Sequence, residues 1–195
     1  MIDFARHDFH WVVQLPEDYD VLDLSVAPEL RPPRTSKVAI GRYDEVRPSV
    51  YDQPLFGGDR ILHVGIDLGG EPGSPVHAFA SGRIHRLGVN EAQGDYGPTI
   101  VTVHELDGRE LFALHGHLSG DSLAGWSQGQ SFGRGDRLGW IGQEAENGGW
   151  PPHLHFQLSW VRPDTHDLPG VVRLEDRPQA LRDYPDPRHV LGPLY

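Results

Sequence analysis

Between Ile61 and Trp160 the chain is written in short runs rich in Val, Ile, Leu and Phe, separated by glycine-containing breaks. The runs are ILHVGIDL, SPVHAFA, GRIHRLG, PTIVTVHEL, RELFALHGHL, GDRLGWIG and HLHFQLSW. Apolar runs at such spacing suit strands joined by turns rather than strands alternating with crossover helices. The expected fold class is all-β, mainly antiparallel, a sandwich or barrel-like domain over residues 61–160. Residues 1–60 contain APELRPPR and YDQPLFGGD and are expected to form a leading extension and loops. Residues 161–195 are proline-rich again and are expected to pack on the domain as a C-terminal extension, with one short helix near Pro178 to Tyr184.

Side chains on a strand alternate between its faces, so residues two apart share a face. In HLHFQLSW the set Leu154, Phe156, Leu158 and Trp160 is apolar, whereas His153, His155, Gln157 and Ser159 are polar. In ILHVGIDL the same sorting puts Leu62, Val64, Ile66 and Leu68 on one face and His63, Gly65 and Asp67 on the other. In LFALHGHLS, His115 and His117 share one parity, opposite Leu114 and Leu118. Three runs thus each offer an imidazole pair, or an imidazole and a carboxylate, on one expected face. That face is the expected site. His7, His10, His77, His85, His104, His166 and His189 lack such partners and are expected to be ordinary surface or hydrogen-bonded histidines.

Composition narrows the chemistry. Seventeen Lys and Arg against 28 Asp and Glu give a formal net charge of -11, which opposes a long contact with phosphates, so nucleic acid is not an expected partner. The same charge leads to an expectation of cationic or neutral peptides as ligands rather than anionic polymers. Cysteine is absent, so a metal site must be built from nitrogen and oxygen ligands. The first twenty residues carry no basic stretch followed by an apolar run, and no stretch has enough consecutive apolar residues to span a bilayer. The expectation is a cytoplasmic location for the chain as written, without a membrane partner, export by another route staying open.

Imidazole and carboxylate ligands suit zinc, whose catalytic sites keep three protein ligands and an open position for water. Iron held by two histidines and one carboxylate uses the same ligand types. Five candidates for three ligand places leave two histidines over, and an imidazole with an ordinary pKa of ~6.5 is suited to moving a proton.

Taken in order, HVGIDLGGEPGSPVHAFASGRI, GDYGPTIVTVHELDG, GHLS, GDRLGWIG and PPHLHFQL resemble the signature of the lysostaphin-type zinc metallopeptidases. The resemblance covers residues 60–160. It implies a lysostaphin-type β domain, a Zn2+ cofactor, and hydrolysis of peptide bonds in peptidoglycan-type or other short peptides. It implies His63, Asp67 and His155 as metal ligands, with His117 and His153 as the catalytic pair acting on the water. His115 has no counterpart in that pattern. Gln157 is a candidate to orient a ligand imidazole through its second nitrogen. The glycine-rich loops GVNEAQGDYG and NGGWPP are expected to flank the groove, with Asn90, Tyr96 and Trp150 as candidate substrate contacts.

The approach to the last motif, QEAENGGWPPHLHF, departs from the family's usual Gly/Thr-rich segment and is expected to line the groove with Glu144, Glu146 and Trp150. With PGV at 169–171 and YPDPRHVLG at 184–192, it resembles a subgroup fused between a kinase-like phosphotransferase and a pyridoxal-phosphate aminotransferase, an intracellular setting. Two rival functions stay open at this level. One is a cupin-like metal oxygenase or isomerase built on the H-G-H pair, and the other is a non-hydrolytic binding or regulatory module on the same fold.

Overall fold

HLHFQLS becomes the strand on which the rest of the site is assembled. The structure is a computed structural model and describes residues 2–195. Strands β1 (Asp20–Val21), β2 (Ala39–Gly41) and β3 (Glu45–Val46) come from the first sixty residues. The ILHVGIDL run supplies β4 (Arg60–His63) and β5 (Ile66–Gly69). They are followed by β6 (Pro75–His77), β7 (Gly82–Asn90), β8 (Gly97–Leu106) and β9 (Arg109–Gly116). After the short helix α1 (Asp121–Ala124) come β10 (Ser131–Phe132), β11 (Arg137–Trp140), β12 (His153–Ser159) and β13 (Val171–Arg173). Helices α2 (Arg177–Asp183) and α3 (Arg188–Leu191) close the chain, α2 lying where the short C-terminal helix was expected.

The main sheet has eight strands in the order β1-β2-β5-β12-β9-β8-β7-β10, antiparallel except for the β1–β2 pair. Two small sheets, β11-β6 and β13-β4-β3, accompany it. The fold is therefore all-β as expected. Among the described residues no helix is long and apolar enough to cross a membrane.

The core follows the alternation in β12. Leu154, Phe156 and Leu158 are fully buried and pack in one cluster with Ile66, Leu68, Ile100, Leu111 and Phe79. Burying each such side chain contributes about 1.5–3 kcal/mol, which fixes the register, because a one-residue slip would turn this set to the opposite face.

The terminal extensions are more integrated than expected. β2 pairs with β5 through Ile40↔Leu68 and Gly41↔Asp67, and β1 extends the sheet beyond it. β3 and β13 flank β4, with Glu45↔His63 and Val171↔His63 in register. Both extensions therefore border the strands that carry the first two site residues. Their periodicity is hidden because each contributes only two or three paired residues.

Candidate metal centre

β5 and β12 are neighbours, with His155 opposite Asp67 in the antiparallel register. ILHVGIDL is not one strand: it breaks at Val64–Gly65, β4 joining the three-stranded sheet and β5 the eight-stranded one. The break needs glycine, since a Cβ on Gly65 would lie 2.5 Å from His155 Cε1. Across it His63 and Asp67 stay on the same side and meet His155.

His63 Nε2 lies 3.1 Å from His155 Nδ1 and 3.2 Å from Asp67 Oδ1, and His155 Nδ1 lies 3.1 Å from the same carboxylate oxygen. The second nitrogen of each imidazole is already committed. His63 Nδ1–H donates to the carbonyl of Arg42 at 2.9 Å, and His155 Nε2–H donates to Gln157 Oε1 at 3.1 Å. Gln157 directs its amide nitrogen at the Pro169 carbonyl, which leaves its oxygen for His155. Burial and the neighbouring Arg47 charge hold His63 down to about 4, so it is neutral at pH 7. Three electron pairs thus face one another without a proton between them, an arrangement that repels unless a cation sits among them. A tetrahedron with N and O ligands at about 2.0–2.1 Å has edges of about 3.3 Å, close to the observed triangle. The donor set fits zinc. His63, Asp67 and His155 also form the one such metal-ligand group among the described residues.

Asp67 carries an additional partner that sequence reasoning missed. Arg47, only 2% exposed, donates from Nη1 to Asp67 Oδ2 at 2.7 Å, from Nε to Glu45 Oε2 at 2.8 Å, and from Nη1 to Tyr51 Oη at 2.9 Å. Burial would raise the Asp67 pKa, but its close imidazole neighbour His63 and the buried Arg47 cation overcome it and hold the carboxyl well below its usual range. The signal for Arg47 was a lone arginine in EVRPSVYD, which nothing local distinguishes from a surface arginine.

His117 and His153 sit beside the triangle with ring centroids 4.4 Å apart. His117 Nδ1–H donates to the Asn147 carbonyl at 2.7 Å, and His153 Nδ1–H donates to the Pro151 carbonyl at 2.7 Å. Both rings therefore present an unprotonated Nε2. Burial lowers both pKa values, His117 further because the other histidines crowd it. His153 Nε2 is 3.7 Å from Asp67 Oδ1. Asn147, fully buried, turns the NGGW loop by accepting from the Gly149 and Trp150 amides, and so positions the carbonyl that orients His117. Its clue was the Asn-Gly-Gly turn signal.

His115 departs from the expected face. It pairs with Phe156, the core residue of β12, while Gly116 pairs with His155. Its ring is fully buried against Phe156, at a centroid distance of 5.3 Å. His117 reaches the site only because β9 ends at Gly116 and His117 adopts a left-handed φ of 63°, a conformation that costs a non-glycine residue on the order of 1–3 kcal/mol. The H-G-H pair therefore cannot chelate one ion, which removes the cupin-like reading.

A cleft of about 570 Å³ opens over the site, and His63, Asp67, His117, His153 and His155 all line it. Trp150 and Tyr96 line it too. Trp150 donates from Nε1 to the Gly94 carbonyl at 3.0 Å, and Tyr96 donates its hydroxyl to the Leu168 carbonyl at 3.0 Å while its ring lies against His155. Asn90 lies elsewhere. It bonds Thr99 and the His166 carbonyl and lines a separate, smaller cavity, together with Glu144 and Glu146. The long β7–β8 ladder ends at Asn90↔Gly97, which carries these groups away from the metal triangle.

No curated protein matches the chain. Among solved structures, the catalytic domain of the antimicrobial peptidase lysostaphin from Staphylococcus simulans is 23% identical over 71% of this chain and 88% of its own, with a TM-score of 0.47. A zinc containing peptidase from Vibrio cholerae is 20% identical over 78% of this chain but 36% of its own, with a TM-score of 0.49. The catalytic domain of the prophage-encoded M23 protein EnpA from Enterococcus faecalis, crystallised as a single-site mutant, is 19% identical over 70% of this chain and 92% of its own, with a TM-score of 0.46. The family model for Peptidase family M23 matches residues 62–167, more than half of the chain, from the end of β4 through β12, and includes all five residues of the centre. On that match, this chain belongs to Peptidase family M23.

Proposed function

We propose that the chain is a zinc metallopeptidase that hydrolyses peptide bonds in peptidoglycan-type or other short peptides. The observation that carries the reading is the convergence of one ligand atom each from His63, Asp67 and His155, 3.1–3.2 Å apart, beside the two further imidazoles of His117 and His153. When bound, zinc supplies the Lewis acidity that polarises a carbonyl and makes water a competent nucleophile near neutral pH. The remaining work belongs to side chains. His117 and His153 offer Nε2 atoms that accept the proton of the attacking water. The ring that takes it becomes a donor to the developing oxyanion and can return the proton to the leaving amine. Trp150 and Tyr96 wall the cleft and limit water around the reacting carbonyl. The QEAENGGWPP approach, PGV and YPDPRHVLG support placing the chain in the subgroup fused to phosphotransferase and aminotransferase modules.

The test is to incubate zinc-loaded protein with defined peptides and peptidoglycan fragments and to look for new amino termini by mass spectrometry, with His117→Ala and His153→Ala in parallel. New termini that appear only with the wild type support the reading. Stoichiometric zinc with no cleavage of any substrate would favour the non-hydrolytic binding module.

A further inference from the structure

The charge of the cleft is unlike that of the chain. Although acidic residues outnumber basic ones 28 to 17, the wall contributed by the segment before β2 presents Arg31, Arg34 and Lys37 to the cleft, beside the apolar side chains of Leu22 and Leu24. These cations are weakly neutralised. Arg31 donates from Nε to the Val26 carbonyl at 3.1 Å, and its buried Nη2 has no partner among the described residues. Arg34 approaches Asp20 only to 4.0 Å, and Asp20 already accepts from Thr35 and Ser36. Lys37 stands 3.9 Å from the exposed Glu71. Arg47 adds no free charge, because Glu45 and Asp67 neutralise it.

The acidic lining residues lie on the other side of the metal triangle. Asp95 precedes β8 and Asp167 follows β12, whereas residues 31–37 lead into β2, and the sheet order places β5 and β12 between β2 and β8. Arg60 also lines the cleft, where its charge acts on Asp167, so the cleft's excess of positive charge comes from the wall before β2. A carboxylate is the planar acceptor that matches guanidinium groups, and the cleft wall offers two of them with an ammonium beside them.

Resting on the peptidase reading above, we infer that this wall seats the free C-terminal carboxylate of a short peptide whose last residue is apolar. The preference is opposite to the one net charge suggests, because a cleft with low-dielectric walls responds to the charges lining it rather than to the sum over the surface.

The probe is N-acetylated tetra-alanine, as free acid and as C-terminal amide, titrated into zinc-loaded protein by calorimetry. The free acid is expected to bind about tenfold more tightly or better, equivalent to ~1.4 kcal/mol. In the Arg31→Gln/Arg34→Gln double variant the two forms should bind alike, with zinc content unchanged by mass spectrometry. On the wild type, added salt should narrow the gap, which provides a measurement independent of any variant. Equal affinities for acid and amide, or no binding of either, overturn the inference. So does a gap that survives in the double variant, since the attraction would then belong to the zinc itself. An amidated peptide with an internal glutamate that binds as well as the free acid would overturn the chain-end assignment. Selective binding of the acid, together with no cleavage of any substrate in the peptide and peptidoglycan-fragment assay above, would leave the carboxylate seat standing and sink the peptidase reading alone.

Discussion

Arg47 Nη1 lies 2.7 Å from Asp67 Oδ2, so the same carboxylate that turns Oδ1 to His63 and His155 is held from behind by a buried guanidinium. The contact joins the N-terminal extension to the metal centre. It fixes the carboxylate rotamer and its charge before any ion arrives, which lowers the reorganisation needed on binding.

Replacing Arg47 by Met should be among the most damaging single changes outside the ligands. It leaves Glu45 and Asp67 buried without their cation, a loss of about 3–5 kcal/mol. Arg47→Lys keeps the charge but loses the forked donor set, so it should cost less. Thermal unfolding and zinc competition against a chelator should both order the proteins as wild type, Lys variant, Met variant. Wild-type zinc affinity in a folded Met variant would show that the guanidinium does not act on the ligand.

His155→Ala should abolish stoichiometric zinc, whereas His117→Ala and His153→Ala should retain it, because neither of those rings belongs to the three-atom triangle. If they carry the proton, each should lower turnover on the order of 10²–10⁴-fold. Metal analysis with turnover on one peptide separates the two classes. Zinc retained by His155→Ala would remove that residue from the ligand set.

Gly65→Ala should expel the metal without unfolding the sheet. The added Cβ would lie 2.5 Å from His155 Cε1 and 3.0 Å from the Phe156 carbonyl, so the imidazole has to move. Gly170→Ala should act similarly through Tyr96, whose hydroxyl oxygen the new atom would collide with. Zinc content and near-ultraviolet circular dichroism check both, and full zinc occupancy in Gly65→Ala would contradict the packing account.

Stability should fall on acidification because of a histidine outside the metal site. Burial lowers His115 from its ordinary 6.5 to about 4. Between those values the unfolded chain binds a proton that the folded chain refuses. This contribution is intact above about pH 6.5, shrinks by ~1.4 kcal/mol per pH unit as pH falls, and levels off below about 4. Urea unfolding across this range should show a shallower pH slope, by one proton, for His115→Phe than for wild type. Identical slopes would mean that the ring is hydrated in solution.

The sequence by itself determined the strand alternation and the β class, and its resemblance to the lysostaphin-type peptidases singled out His63, Asp67, His117, His153 and His155 as candidates. Alternation is a local property: period two sorts HLHFQLSW into a core face and a polar face whatever its partners are. Parity failed where the backbone stops being a strand. His115 and His117 read as one face, but the left-handed turn at His117 separates them, and pairing with Phe156 sends His115 into the core. The tertiary structure alone decided the rest. Arg47, Asn147 and the cationic wall of Arg31 and Arg34 act through contacts 20 or more residues away in the chain or through the cleft they line. No periodicity records such contacts, because whether an arginine is a solvated surface charge or a buried partner depends on which strand edge the fold brings against it.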